Sequence, residues 1–274
     1  IIDPSFKYKP GFRIGLGYDV PCSNWDFQLA WTRIHEKVSS SVSNNEQGVI
    51  PLTFPVASIF GFINRDPSQF AFGNEAKSRW NFEFDTIDLQ VGRDCSCLNC
   101  LAFRPYIGIK AASIRQNQHI EYLGFSVDGT PINLRNIKKN NFYGIGPSFG
   151  FDSSWEFYPH WNLSSGICGA LLCGKFDVNE HPSANLEPNF IKVDSKNSKK
   201  CRLRPAVDAN IGIDWNNCVC DRFQIMIGIS YEVQYWWNQW QAPSSVESSL
   251  INGGSSPQGD LMMHGLTARL AVSF

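Results

Sequence analysis

The sequence predicts an all-β protein, a transmembrane antiparallel up-and-down β-barrel that forms a single domain over residues 1–274. Three observations predict this fold: side chains alternate with a period of two, no apolar stretch is long enough for a membrane helix, and the connections alternate in length. The nearly uncharged apolar stretch around Gly166 to Gly174 is far shorter than the roughly 18 residues that a membrane-crossing helix needs.

Nine segments show the alternation, and each is predicted to be one strand of the barrel. The clearest are Arg222–Trp236 and Arg202–Trp215, and the last ends on the terminal Phe274, the candidate assembly signal. Between Trp80 and Val91 the alternation changes phase near Thr86, which predicts a β-bulge. The predicted strands are Gly11–Val20, Trp25–Thr32, Trp80–Val91, Leu101–Ser113, Tyr143–Phe151, Trp161–Lys175, Arg202–Trp215, Arg222–Trp236 and Gly259–Phe274.

The connections between these strands alternate between short and long. The short ones are Pro21–Ser23, Gly92–Asn99, Asp152–His160 and Asn216–Asp221; the long ones are Glu36–Ser78, Gln116–Lys139, Asp177–Lys199 and Asn238–Pro257. Outer-membrane barrels have short periplasmic turns and long extracellular loops, so the last strand descends to the periplasm. The strand from Gly11 descends too, so we expect a further N-terminal strand and a signal peptide upstream, and about ten strands in the full protein.

A soluble β-sandwich or lipocalin is the alternative, because period-two alternation also describes a half-buried soluble sheet. Its apolar residues would face inward. Aromatic residues near both strand ends, such as Trp25, Trp161 and Trp215, fit the interfacial girdles of a membrane barrel instead.

Composition excludes other classes of function. The net charge is −1 and no basic run is present, so we expect no nucleic-acid partner. The five histidines share no motif with a nucleophile or a metal site, so we expect neither catalysis, nor a cofactor, nor a bound metal.

Charged residues of both signs fall on the predicted inner face. Facing a water-filled passage they would stay hydrated and bias ion selectivity; in a narrow barrel they would instead fill the interior as salt bridges. Both interpretations stay open, and the segment Ile50–Phe72 is a candidate to line the pore or cover its outer mouth. The predicted pore-lining residues are Arg13, Asp19, Arg104, Lys110, Arg202, Arg204, Asp208, Asp214, Glu232 and Arg269.

Nine cysteines are many for this length, and six lie in the predicted periplasmic turns. Their spacing lacks the matching second pair of a zinc site, so we favour disulfides in an oxidising periplasm. Such bridges would be local, or would join the protein to envelope proteins or to copies of itself. The disulfide candidates are Cys22, Cys95, Cys97, Cys100, Cys218 and Cys220.

Several short motifs resemble the major-outer-membrane-protein-like, pore-forming family of Legionella and chlamydia-related bacteria. They are Gly11–Tyr18 (GFRIGLGY), Trp25–Asp26, Trp31–Arg33, Gly265–Arg269 (GLTAR) and the final Phe274. The resemblance implies an outer-membrane porin for passive diffusion of small hydrophilic solutes, with outer-membrane lipid as its surroundings. It also implies a disulfide-linked cell envelope. The alternative is a structural or surface-interaction barrel without significant conductance.

Overall fold

The computed structural model describes residues 8–43, 70–71, 74–98, 100–127, 130–186, 189–192, 196–219, 223–241 and 258–274. All regular structure in these residues is β-strand. The strands are β1 (Gly11–Asp19), β2 (Trp25–Ser43), β3 (Phe70–Ala71), β4 (Glu75–Arg93), β5 (Cys95–Leu98), β6 (Leu101–Val127), β7 (Thr130–Tyr158), β8 (Trp161–Leu186), β9 (Asn189–Lys192), β10 (Lys196–Val219), β11 (Phe223–Gln241) and β12 (Gln258–Ser273). Among the described residues no helix has the length and apolar character to span a bilayer.

The strands form one antiparallel sheet in the order β1-β2-β4-β6-β7-β8-β10-β11-β12. These nine strands correspond to the nine predicted from the alternation, so an all-β, up-and-down sheet is confirmed. The short strands β3 and β5 pair with β6, and β9 pairs with β8.

Several strands are longer than predicted. β6 continues to Val127 and β7 begins at Thr130, so most of the connection expected at Gln116–Lys139 is strand. The connection expected at Asp177–Lys199 is likewise mostly strand, because β8 runs to Leu186 and β10 begins at Lys196. The segment Ile50–Phe72 lies outside the described residues apart from β3.

The bulge expected at Thr86 is also wrong. Thr86 pairs with Thr32 on one side and Ala112 on the other, within continuous registers. Phe82, Phe84, Thr86 and Asp88 all lie on the same face, where they are buried. The backbone keeps its phase, and what changes along β4 is the polarity of each face.

We call this buried face the inner face and the opposite one the outer face. The sheet curves until its ends approach: a guanidinium nitrogen of Arg13 on β1 lies 3.2 Å from the Glu232 carboxylate on β11. The rings of Tyr8 and His264 meet edge to face with centroids 6.2 Å apart. Among the described residues β1 and β12 are not paired through their backbones, so the sheet is not closed by hydrogen bonds.

The outer face changes from apolar to polar at one row of residues that pair with each other across neighbouring strands. We call it the transition row. It consists of Arg33, Asp85, Ser113, Tyr143, Lys175 and Cys201. The row on the short-connection side is apolar: Trp31, Ile87, Ala111, Ile145, Cys173 and Leu203. The row on the other side is polar: His35, Glu83, Arg115, Asn141, Asp177 and Lys199. The apolar side continues toward the short connections as an exposed belt, for example at Ile107, Phe149 and Ile211.

Candidate functional site

The inner face carries two layers of side chains, and its polar layer contains most of the predicted pore-lining residues. The charged layer, nearer the short connections, consists of Arg13, Asp26, Asp88, Arg104, Lys110, Asp152, Asp208, Asp214, Glu232 and Arg269. The aromatic layer, toward the long connections, is built around Phe82, Phe84, Phe142, Phe176 and Trp236.

Arg104 on β6 is the centre of the first charged cluster. Its Nε donates to both carboxylate oxygens of Asp26 on β2, at 3.0 and 2.8 Å. Its Nη1 donates to Asp152 on β7 at 3.0 Å, and its guanidinium lies 5.1 Å from the ring centre of Tyr106. Arg104 is 8% exposed and Asp26 4%. Because a lone buried charge is costly, this pairing is what allows Arg104 to lie inside.

Lys110 forms a second cluster that reaches across the interior. Its Nζ lies 2.8 Å from Asp88 on β4 and 2.6 Å from Asp208 on β10. β6 and β10 are separated in the sheet by β7 and β8. A contact between them therefore bridges the concave side, and the enclosed space is narrow at this level.

Two further ion pairs lie near the seam between β1 and β12. Arg269 on β12 contacts Asp214 on β10 at 3.0 Å and donates to the Ser164 hydroxyl on β8 at 2.8 Å. The Arg13–Glu232 pair joins β1 to β11, and the β12 residue that pairs with Glu232 is Gly265. A side chain added at Gly265 would meet no atom within 4 Å.

The aromatic layer joins opposite walls of the sheet. The rings of Phe84 on β4 and Trp236 on β11 meet edge to face at 5.5 Å, and both side chains are fully buried. Phe142 and Phe176 pack with centroids 4.7 Å apart. On the same side of the molecule, the Asn140 amide on β7 donates to the backbone carbonyl of Gln239 on β11 at 2.7 Å. The interior is filled at this level.

Glycines on the inner face make room for neighbouring side chains. A Cβ on Gly174 would lie 2.3 Å from the Phe142 ring, and one on Gly92 would lie 2.6 Å from the Arg104 guanidinium. One on Gly228 would overlap the Asp214 carboxylate. The absence of a side chain at these glycines leaves space that neighbouring aromatic rings and ion-paired side chains occupy.

All ten predicted pore-lining residues lie on strands of the sheet, and most of them are paired. The seven that form ion pairs are Arg13, Arg104, Lys110, Asp208, Asp214, Glu232 and Arg269. Arg204 instead places its guanidinium 5.0 Å from the Phe176 ring centre. Asp19 and Arg202 are exposed, and neither forms an ion pair with another described residue. That these residues line a pore stays a prediction.

Sequence reasoning missed the acidic partners Asp26, Asp88 and Asp152, and it missed the aromatic layer. Asp26 alternates with Trp25 and Phe27, so its inward position was readable from the pattern. Asp88 was hidden by the supposed phase change at Thr86. The aromatic layer gave no usable signal, because inward apolar residues contradict the simple pattern of a membrane strand.

The cysteine candidates whose side chains the structure describes lie at the short-connection end of the sheet. Cys22, Cys95, Cys100 and Cys218 are free thiols there. The side chain of Cys97 and the whole of Cys220 lie outside the described residues, so disulfide pairing stays a prediction. No cluster of histidine, cysteine and acidic side chains suited to a metal occurs in the part of the chain that the structure describes.

A comparison with protein families decides the identity of this sheet. The family model described as Legionella pneumophila major outer membrane protein precursor matches residues 2–274. The chain belongs to this family. As a member of the Legionella major outer membrane protein family, it is located in the bacterial outer membrane.

Two other comparisons gave no match. No curated protein is similar enough to match. No solved structure matches either.

Proposed function

We propose that the curved sheet of this Legionella outer-membrane family member is a transmembrane β-barrel whose apolar belt faces lipid. The transition row supports this, because one row of residues separates an apolar outer surface from a charged one. On β10 the belt runs from Leu203 to Trp215. At about 3.3 Å per residue and a tilt of about 40°, that stretch covers roughly 30 Å, the thickness of a hydrocarbon core.

We propose further that the barrel is a porin-like channel for small hydrophilic solutes and ions. The observation that carries this is the exposure of Asp19, at the short-connection end of β1, and of Arg202, near the long-connection end of β10. Both charges are exposed and lack an ionic partner among the described residues, which supports entry of solvent into the interior from both sides. The aromatic layer then forms a waist between two hydrated vestibules, and passage requires the Phe84–Trp236 contact to open.

The charged layer should favour cations. Its formal charge is −2, because it contains six acidic residues and four basic ones: Asp26, Asp88, Asp152, Asp208, Asp214 and Glu232 against Arg13, Arg104, Lys110 and Arg269. A ring of net negative charge attracts cations into a narrow passage.

Recordings in planar lipid bilayers test the channel. We expect discrete steps for the full-length wild-type protein, cation preference in a salt gradient, and larger steps for Trp236→Ala because the waist loses its largest ring. The matched control is Phe149→Ala, which removes an aromatic ring from the lipid-facing belt and should leave step size unchanged. Silence from both the wild type and Trp236→Ala would contradict a channel.

The second candidate is a closed structural barrel, and the cross-wall contacts of Lys110 and Trp236 favour it. It predicts a silent wild type and conductance only after Trp236→Ala. A role in a disulfide-linked envelope would use the thiols at the short-connection end. Non-reducing electrophoresis tests it: a monomer that is insensitive to reductant argues against cross-linking.

A further inference from the structure

The outer face beyond the transition row differs between two walls of the sheet. On β2 and β4, cations lie beside acids: the Arg33 guanidinium is 3.8 Å from Asp85, and Lys77 Nζ is 3.0 Å from Glu75. On β7, β8 and β10 three lysines are exposed, and none forms an ion pair with a residue that the structure describes. These lysines, Lys139, Lys175 and Lys199, are called the lysine patch below.

The lysine patch is compact and positively charged. Lys175 lies in the transition row, and Lys199 pairs across strands with Asp177 one row further out. Lys139 pairs with Asn179 in the row beyond that. Asp177 is the one acid among these positions, and its carboxylate accepts a hydrogen bond from the Asn179 amide at 3.2 Å. The patch therefore keeps a net positive charge.

An apolar notch lies beside Lys175, on the belt side of the lysine patch. It has a volume of about 470 Å³ and opens outward between β7, β8 and β10. Ile145, Cys173 and Cys201 line it, and the cross-strand glycine pair Gly144 and Gly174 forms its floor. Its remaining wall includes Tyr143, whose ring has the Arg115 guanidinium 5.9 Å from its centre.

We propose that this wall binds a phosphorylated lipid, with the phosphate at the lysine patch and an acyl chain in the notch. The proposal rests on the proposed transmembrane barrel, which places the notch at the boundary between hydrocarbon and headgroups. A lipid phosphate is negatively charged and therefore complements the net positive charge of the lysine patch. Basic clusters beside a membrane span recognise anionic headgroups. On the β2–β4 wall, Arg33 lies beside Asp85 and Lys77 beside Glu75, so acidic neighbours offset part of the positive charge there.

The test compares lipid retention by the full-length protein in detergent micelles, measured by native mass spectrometry. Phosphatidylglycerol is the anionic probe and phosphatidylcholine the zwitterionic one. We expect the wild type to retain phosphatidylglycerol about tenfold more strongly, and Lys139→Gln/Lys175→Gln/Lys199→Gln to lose that preference. The matched control, Arg33→Gln/Lys37→Gln/Lys77→Gln, removes three outer-face cations from β2 and β4 and should keep it.

A second variant tests the notch separately. Cys173→Trp should fill it and lower retention of phosphatidylglycerol by about fivefold, whereas Ile229→Trp on the outer face of β11 should not. Unaltered far-UV circular dichroism identifies the variants that fold.

Three results would overturn the proposal: equal retention of both lipids, an unchanged triple lysine variant, or displacement of the lipid by inorganic phosphate alone. The last result would mean that the patch binds a phosphate ion. The channel proposal and the lipid proposal can fail separately. A wild type that shows no conductance in bilayers but still prefers phosphatidylglycerol would contradict the channel and support the lipid site.

Discussion

The two halves of the sheet have opposite arrangements of polar and apolar side chains on their inner and outer faces. Toward the short connections, the outer face is apolar at residues such as Ile107, and the inner face holds ion pairs such as Lys110–Asp208. Toward the long connections, the outer face is charged at residues such as Arg115, and the inner face is apolar at Phe84. One continuous set of strands carries both arrangements, and β6 passes through the change without a register shift until Tyr122.

This difference shows that alternation along a strand indicates only that its two faces lie in environments of different polarity. It does not indicate which face is outside. A strand in lipid with a polar interior is apolar outside. The same strand in water needs an apolar interior, as in a soluble barrel. The polarity pattern expected of a membrane strand and the pattern expected of its soluble alternative therefore each match one half of the sheet.

The largest expected effect comes from breaking the charged layer. Lys110→Ala leaves two carboxylates unpaired inside the sheet, and we expect it to lower the free energy of unfolding by about 3–5 kcal/mol. Its control on the same strand is Arg115→Ala, which removes an exposed pair with Glu83 worth about 0–1 kcal/mol. Urea unfolding in lipid vesicles measures both. Equal losses would mean that the two halves do not differ in burial of charge.

An intermediate effect is expected from placing a charge in the belt. Ile107→Arg puts a cation where we propose lipid, at a cost of about 2–4 kcal/mol near the bilayer centre. Asn117→Arg, on the same face of β6 beyond the transition row, should cost less than about 0.5 kcal/mol. The same vesicle assay applies, and a tolerated Ile107→Arg would argue against a lipid-facing belt.

The smallest effect is expected from the glycines of the inner face. Gly174→Ala pushes a methyl group against the Phe142 ring, and overpacking of this kind costs about 1–3 kcal/mol. Gly265→Ala has open space and should be neutral or stabilising, because alanine lowers the backbone entropy of the unfolded chain. A stability ranking with Gly265→Ala below Gly174→Ala would contradict the assigned packing of the aromatic layer.

The sequence predicted where strands exist better than where they end. Alternation identified all nine long strands. However, β6 continues far beyond Ser113, and β7 begins well before Tyr143. The polar segment between them resembled a loop because both of its visible signals, charge and low apolar content, belong to strands exposed to water on one face. Backbone pairing, such as that of Gln116 with Asn140, shows that this segment is strand. Such pairing cannot be read from either segment alone.

By itself, the sequence determined the number of long strands, the face of the predicted inward charges, and the family to which the chain belongs. Those properties are local, since period-two geometry fixes faces residue by residue. Only the tertiary structure decided which inward charges pair, as with Arg13 and Glu232, and that Phe84 meets Trp236 across the interior. Contacts between strands far apart in the chain depend on the register and curvature of the whole sheet, which no single strand encodes.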